Sequence, residues 1–106
     1  MTEKVKSELD RIVEVLVETG IVSKIILFGS HARGDATPDS DIDLCVLTPE
    51  DRHSIDLMQD FTWKLWNIKT RPLDLLAYNQ DRFYDTAKRP TSFEHNIAKE
   101  GVLIYG

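Results

Sequence analysis

The sequence has one cysteine and no long apolar run, and both absences exclude a class of protein. Cys45 alone cannot form an internal disulfide, which fits a reducing compartment. The longest apolar run, around residues 25–28, is far shorter than the roughly 20 residues that a membrane-spanning helix needs. The charged N-terminus is also unlike a signal peptide. We therefore expect a cytoplasmic protein that makes no membrane contact.

An excess of basic residues is also lacking. The chain has 13 Lys and Arg residues against 18 Asp and Glu residues, a net charge of −5. An acidic chain has no bulk attraction to a phosphate backbone, so no long nucleic acid is expected as a partner. The 106 residues, of which 42% are hydrophobic and 29% charged, suit one globular domain over residues 1–106.

Hydrophobic spacing divides the chain into alternating helices and strands. The predicted helices cover residues 3–18, a helix starting at the Thr-Pro-Glu-Asp segment of residues 48–51 and ending near 68, a short stretch within 79–88, and the segment between Thr91 and Gly101. The predicted strands cover residues 21–28, 41–47, 73–78 and 102–105. This order predicts an α+β fold, in which a small mixed β-sheet has its helices packed mainly on one face.

On the helix predicted to end near residue 68, an apolar stripe is expected to face the core. The stripe consists of Ile55, Met58, Phe61, Leu65 and Ile68. Trp63 falls about 80° beyond this stripe on a helical projection. An exposed tryptophan often marks an interface, but a tryptophan that lies flat over its own fold fits the pattern equally well.

Asp41 and Asp43 open the second predicted strand and carry the most informative pattern in the chain. Because side chains alternate along a strand, both carboxylates face one side, whereas Ile42 and Leu44 face the other. Adjacent carboxylates repel each other, and a divalent cation would relieve this repulsion. Mg²⁺ prefers carboxylate oxygens together with substrate phosphates. The alternative is a polar turn followed by an exposed strand residue, which is common for an isolated Asp-x-Asp.

A Gly29-Ser30 turn ends the strand that precedes this acidic pair. Glycine permits close backbone approach, and the N–H groups at a helix start form an anion site. The Ser30 hydroxyl and the Arg33 guanidinium could add donors to a phosphate, although Arg33 could instead only pair with Asp35 or Asp39. Together with carboxylates 12 residues further on, the turn would supply both halves of a nucleoside triphosphate site.

The segments GSHARGD (residues 29–35) and SDIDL (residues 40–44) resemble the signature of the DNA polymerase β-type nucleotidyltransferase superfamily. More narrowly, the chain resembles the minimal nucleotidyltransferases, or MNT domains, which are often paired with HEPN-domain proteins. The resemblance implies a polymerase β-like fold. It also implies a nucleotide-binding set of four residues: Gly29, Ser30, Arg33 and Ser40.

The superfamily pattern includes a third carboxylate on a following strand, and Asp74 matches it. An aspartate in an otherwise apolar strand is costly unless it is paired or metal-bound, although an edge-strand position in solvent is an alternative. The resemblance implies that Asp41, Asp43 and Asp74 are catalytic and bind two Mg²⁺ ions. The implied reaction transfers a nucleoside monophosphate, AMP from ATP, to an acceptor hydroxyl and releases pyrophosphate.

The MNT resemblance also implies a toxin–antitoxin setting. In that setting this chain is the antitoxin and adenylylates a HEPN ribonuclease toxin. Transfer to a small-molecule hydroxyl, as in the related aminoglycoside-modifying transferases, is less expected because those enzymes carry an additional helical domain that the sequence lacks. A non-catalytic module that neutralises its partner by contact alone is another alternative. Assembly into a homo-oligomer or a hetero-oligomer fits the sequence.

Overall fold

The structure is a computed structural model, and it describes residues 1–68 and 71–106. Five helices and four strands lie within these residues. In chain order they are α1 (Glu3–Glu18), β1 (Lys24–Phe28), α2 (Ser30–Arg33), β2 (Ile42–Thr48), α3 (Ser54–Leu65), β3 (Leu73–Asn79), α4 (Gln80–Ala87), α5 (Phe93–Glu100) and β4 (Val102–Tyr105). None of the helices in the described part is long and apolar enough to cross a membrane.

The four strands form one mixed sheet in the order β3-β2-β1-β4. Strand β2 runs parallel to β3, whereas β1 is antiparallel to both β2 and β4. The predicted α+β class and the mixed sheet are therefore confirmed. Strands β2 and β3 start at the edge of the sheet where β1 ends. The first residues of β2 and β3 therefore lie near the turn that follows β1.

Helices cover both faces of the sheet. The long helices α1 and α3 pack on the face formed by the inward residues of β1, β2 and β3, such as Leu44 and Val46. The short helices α4 and α5 cover the opposite face, where Phe83, Ala87 and Ile97 pack on the sheet. The expectation of helices mainly on one face thus holds for the two long helices only, since α4 and α5 bury apolar residues of their own.

Helix α1 was predicted with its observed bounds, and the Oγ1 atom of Thr2 caps it by accepting a hydrogen bond of 3.2 Å from the Val5 N–H. The predicted start of α3 at residues 48–51 is wrong. Thr48 ends β2 in the core, and its hydroxyl accepts from the Glu50 N–H at 3.1 Å, so this segment forms a turn instead of a helix. Helix α3 begins at Ser54.

The apolar stripe on α3 also differs from the prediction. The buried residues are Leu57, Phe61 and Leu65, spaced four apart, whereas Ile55 is 69% exposed. Trp63 is 80% exposed, so it does not lie flat over its own fold. The exposed side chains of Ile55, Trp63 and Trp66 give the outer side of α3 an apolar surface.

Candidate active site

Asp43 and Asp74 are register partners on the parallel strands β2 and β3. Each is the second residue of its strand, so the parallel pairing brings both to the same edge of the sheet and to the same face. The pKa of Asp43 is raised to about 6, mainly by burial and further by the charge of Asp74, a hydrogen bond with Asp74 and the charge of Asp41. His31 partly offsets these effects. The two carboxyls are therefore close enough to share a proton or a cation.

Gly29 brings the turn predicted to bind phosphate directly against Asp43. Its φ of 73° and ψ of −154° form a conformation that is essentially restricted to glycine. A Cβ atom at this position would lie 2.8 Å from the Cγ of Asp43 and closer still to its Oδ2. Ser30 follows as the first residue of the four-residue helix α2. A glycine is thus needed here both for the turn and for the approach of the carboxylate.

Asp41 is exposed and lies one residue before β2 begins, and its charge contributes to the raised pKa of Asp43. Within residues 1–68 and 71–106, no three carboxylate, imidazole or thiol groups are gathered so as to hold a metal ion. Mg²⁺ commonly takes only one or two protein carboxylates and completes its coordination with water and substrate phosphates. The oxygen donors of Asp43 and Asp74, which repel each other when both are ionised, fit such an ion.

The remaining predicted nucleotide-binding residues differ in where they point. Arg33 lines a cavity with Gly29 and also forms an exposed ion pair of 3.4 Å with Asp35. Such an exposed pair contributes little and leaves the guanidinium available. The Ser40 hydroxyl instead accepts a hydrogen bond of 2.9 Å from the Thr37 N–H within its own loop. The structure does not bring Ser40 into the cavity with Arg33.

That cavity, the active-site cleft, has a volume of about 280 Å³. Its lining comprises Phe28, Gly29, Arg33, Asp43 and Asp74 together with Phe93, Asn96, Ile97 and Glu100 of α5. The sequence predicted a helical segment between Thr91 and Gly101 but gave no indication that one of its faces borders the site. The spacing of residues 93, 96, 97 and 100 would have indicated a single face.

Arg71 and His31 hold the loop that carries Asp41, and neither contact was predicted from the sequence. Arg71 Nε donates to Glu8 at 2.5 Å, and both side chains are largely buried, with 11% and 14% exposed. The Arg71 guanidinium also donates to the carbonyl oxygens of Pro38 and Ser40. From the other side, His31 Nε2 lies 3.2 Å from the same Ser40 carbonyl oxygen. These contacts tie the loop to α1 and α2.

Cys45 lies on the same strand face as Asp43 but is fully buried. Burial raises the pKa of its thiol to about 12, so the thiol stays protonated and does not act as a nucleophile.

Comparison with known proteins identifies the family. A family model described as "Polymerase beta, Nucleotidyltransferase" matches residues 10–106. The chain belongs to this nucleotidyltransferase family. "Putative protein adenylyltransferase MJ0604" of Methanocaldococcus jannaschii is 35% identical over 86 residues, which cover 81% of each chain. "Putative protein adenylyltransferase MJ0435" of the same organism is 32% identical over 69 residues, 65% of this chain and 72% of the relative.

Two solved structures share the fold. One is a "putative nucleotidyltransferase" from Sulfolobus solfataricus, with a TM-score of 0.58, 19% identity, and coverage of 97% of this chain and 86% of that chain. The other is a mutant of the toxin–antitoxin MntA-HpeT, with a TM-score of 0.58, 22% identity, and coverage of 92% and 71%. The family match confirms the resemblance to the polymerase β-type nucleotidyltransferases, and both structures confirm the fold.

Proposed function

We propose that this nucleotidyltransferase moves AMP from ATP to a hydroxyl of a protein partner, with divalent metal as its cofactor. The observation that carries the proposal is the pairing of Asp43 with Asp74 in one cleft with the Gly29 turn. Family membership supports the reaction class. The names of the two curated relatives, both described as protein adenylyltransferases, support a protein acceptor.

In this proposal Asp41, Asp43 and Asp74 would hold two Mg²⁺ ions, and such ions would supply neutralisation of the charge on the attacking and leaving oxygens. The Gly29-Ser30 backbone and Arg33 bind the β- and γ-phosphates. The acceptor oxygen bonds to the α-phosphorus while the bond from that phosphorus to the bridging oxygen breaks. Pyrophosphate leaves with the electron pair, and the Asp74 carboxylate takes the hydroxyl proton.

We further propose that the protein partner is a HEPN-type toxin and that this chain is its antitoxin. The shared fold with a toxin–antitoxin structure supports this biological setting. A catalytic antitoxin would inactivate its partner by covalent modification, whereas a module that only binds would need stoichiometric amounts.

The test is to incubate the chain with its genomic neighbour, Mg²⁺ and ATP labelled at the α-phosphate. Stable label on the neighbour is expected, and ATP labelled at the γ-phosphate should leave it unlabelled. Asp43→Asn should remove the label, whereas Asp39→Asn, a change of an exposed aspartate in the adjoining loop, should not. Tight binding of the neighbour without label would instead support neutralisation by contact.

A further inference from the structure

The α5 wall of the active-site cleft carries an exposed aromatic ring that the proposed chemistry does not use. Phe93 is 55% exposed although it lines the cleft beside Asp43 and Asp74. Its ring meets Phe28 edge to face, with the centroids 5.9 Å apart and the planes at 83°. Phe28 thus supports the ring on one side, and more than half of the side chain remains open to a ligand.

The backbone that presents Phe93 is firmly held. Ser92 caps α5 by accepting from the His95 N–H at 3.0 Å, and the His95 ring lies 2.9 Å from the Ala87 carbonyl oxygen. Tyr78 donates its hydroxyl hydrogen to Glu94 at 2.9 Å. These contacts fasten the residues on either side of Phe93, so the ring is pre-positioned and little ordering is required when a ligand binds.

The charges of the cleft differ between the walls that line it. Arg33 and the Gly29 backbone belong to the turn and the short helix that follow β1, where polyphosphate is favoured. Glu100 closes the α5 side of the lining, and a carboxylate there disfavours phosphate. The α5 side therefore suits an uncharged, planar part of the nucleotide.

The geometry points to α5 as the nucleobase subsite, with Phe93 stacking on the base and Asn96 reading its edge. This inference rests on the proposed function, because it assumes that a nucleoside triphosphate occupies the cleft. Bases stack on aromatic side chains with little regard to sequence. Asn96 is exposed one turn from Phe93 on the same helical face. Its amide can accept from the adenine N6 amino group and donate to N7, a pairing that guanine does not offer.

The test compares the affinities of ATP and inorganic tripolyphosphate, because tripolyphosphate carries the phosphates without the base. With Mg²⁺ present, titration calorimetry should show that Phe93→Ala weakens ATP binding by about ten- to a hundredfold, the usual range for loss of one stacked base. Tripolyphosphate affinity should stay unchanged. Phe93→Trp should restore ATP binding. Trp63→Ala, which removes an exposed aromatic ring on α3 outside the cleft, should change neither affinity.

A second substitution tests whether Asn96 selects the base. Asn96→Leu keeps the approximate shape of the side chain but removes its donors and acceptors. We expect the ratio of ATP to GTP affinity to fall by about tenfold, in the range of one lost base contact.

Several outcomes would overturn the inference. Equal weakening of ATP and tripolyphosphate by Phe93→Ala would mean that Phe93 only supports the cleft. Unchanged ATP affinity with a raised KM for the protein acceptor would assign the ring to the acceptor. If the unaltered protein binds tripolyphosphate and transfers AMP while neither α5 variant affects ATP, the base subsite is wrong but the proposed function stands. If the unaltered protein binds neither ATP nor tripolyphosphate, the base subsite and the proposed function are both wrong.

Discussion

Asp43 and Asp74 face each other across two parallel strands, and burial, together with this proximity, raises the pKa of Asp43 to about 6. Packing offers no reason for two adjacent carboxylates at the point where β2 and β3 begin. Ionising both costs free energy in the metal-free protein. The site thus retains an arrangement that destabilises the fold, as functional sites often do.

Divalent metal should stabilise this protein through the same pair. At pH 7.5, we expect Mg²⁺ at a tenfold excess over its Kd to raise the free energy of unfolding by about 1.4 kcal/mol, as linkage requires for a ligand of the folded state. At pH 5 the gain should be smaller, because Asp43 then holds a proton that the metal must displace. Urea unfolding with and without Mg²⁺ measures both values. Asp43→Asn should abolish the gain, and a gain that survives in this variant would contradict the assignment.

The raised pKa of Asp43 predicts how stability depends on pH without metal. Between pH 3.8, the ordinary value, and about 6, the folded state binds a proton that the unfolded state has lost. Stability due to Asp43 therefore falls as pH rises through this window and is constant above it. Because the Asp43 side chain is partly exposed, solvent screens part of the effect of its pKa shift. We therefore expect the free energy of unfolding to fall by about 1–2 kcal/mol across this window.

Asp43→Asn isolates this contribution. In EDTA its stability should match that of the unaltered protein near pH 4 and exceed it by about 1–2 kcal/mol at pH 7.5. Comparing the two proteins by urea unfolding cancels the titration of the groups that do not interact with Asp43. A difference between them that is the same at both pH values would show that Asp43 is not the group that titrates.

The parts of the fold and site that could be predicted from the sequence are those set by local periodicity. The alternation of β2 placed Asp43 on the face opposite its buried neighbours Ile42 and Leu44, as observed. That one face of α5 borders the site could not be foreseen, because it depends on how α5 packs across the sheet. Arg71 was missed for a similar reason, since its ion-pair partner Glu8 lies 63 positions away. Contacts of this kind leave no local pattern in a single sequence.

Gly29 and Gly34 offer a matched test of the close approach between the turn and Asp43. Both have positive φ, but a Cβ at Gly34 would meet nothing within 4 Å, whereas at Gly29 it would meet Asp43. Gly34→Ala should therefore cost only about 1–2 kcal/mol of conformational strain. Gly29→Ala should cost at least about 3 kcal/mol, because it adds the collision to the strain. Urea unfolding of the two variants compares these costs, and equal losses would mean that Asp43 moves aside freely.

Arg71 should act as a positioning residue for the loop that carries Asp41. Its guanidinium joins Glu8 to the carbonyl oxygens of Pro38 and Ser40, and a lysine cannot reproduce this fork of donors. Arg71→Met should lower the free energy of unfolding by about 3 kcal/mol, because it weakens the pairing of a largely buried carboxylate. Arg71→Lys retains the charge beside Glu8 and should lose about half as much.

A measurement of stability does not show whether Arg71 positions Asp41, so a kinetic measurement is also needed. If Arg71 positions Asp41, Arg71→Lys should lower kcat for AMP transfer by about tenfold while ATP affinity changes little, since a small displacement of a catalytic group reduces the rate more than binding. Glu8→Gln should lower stability but leave kcat nearly unchanged, because it spares the bonds to the two carbonyl oxygens. Equal kcat values for the two variants would show that Arg71 has only a structural role.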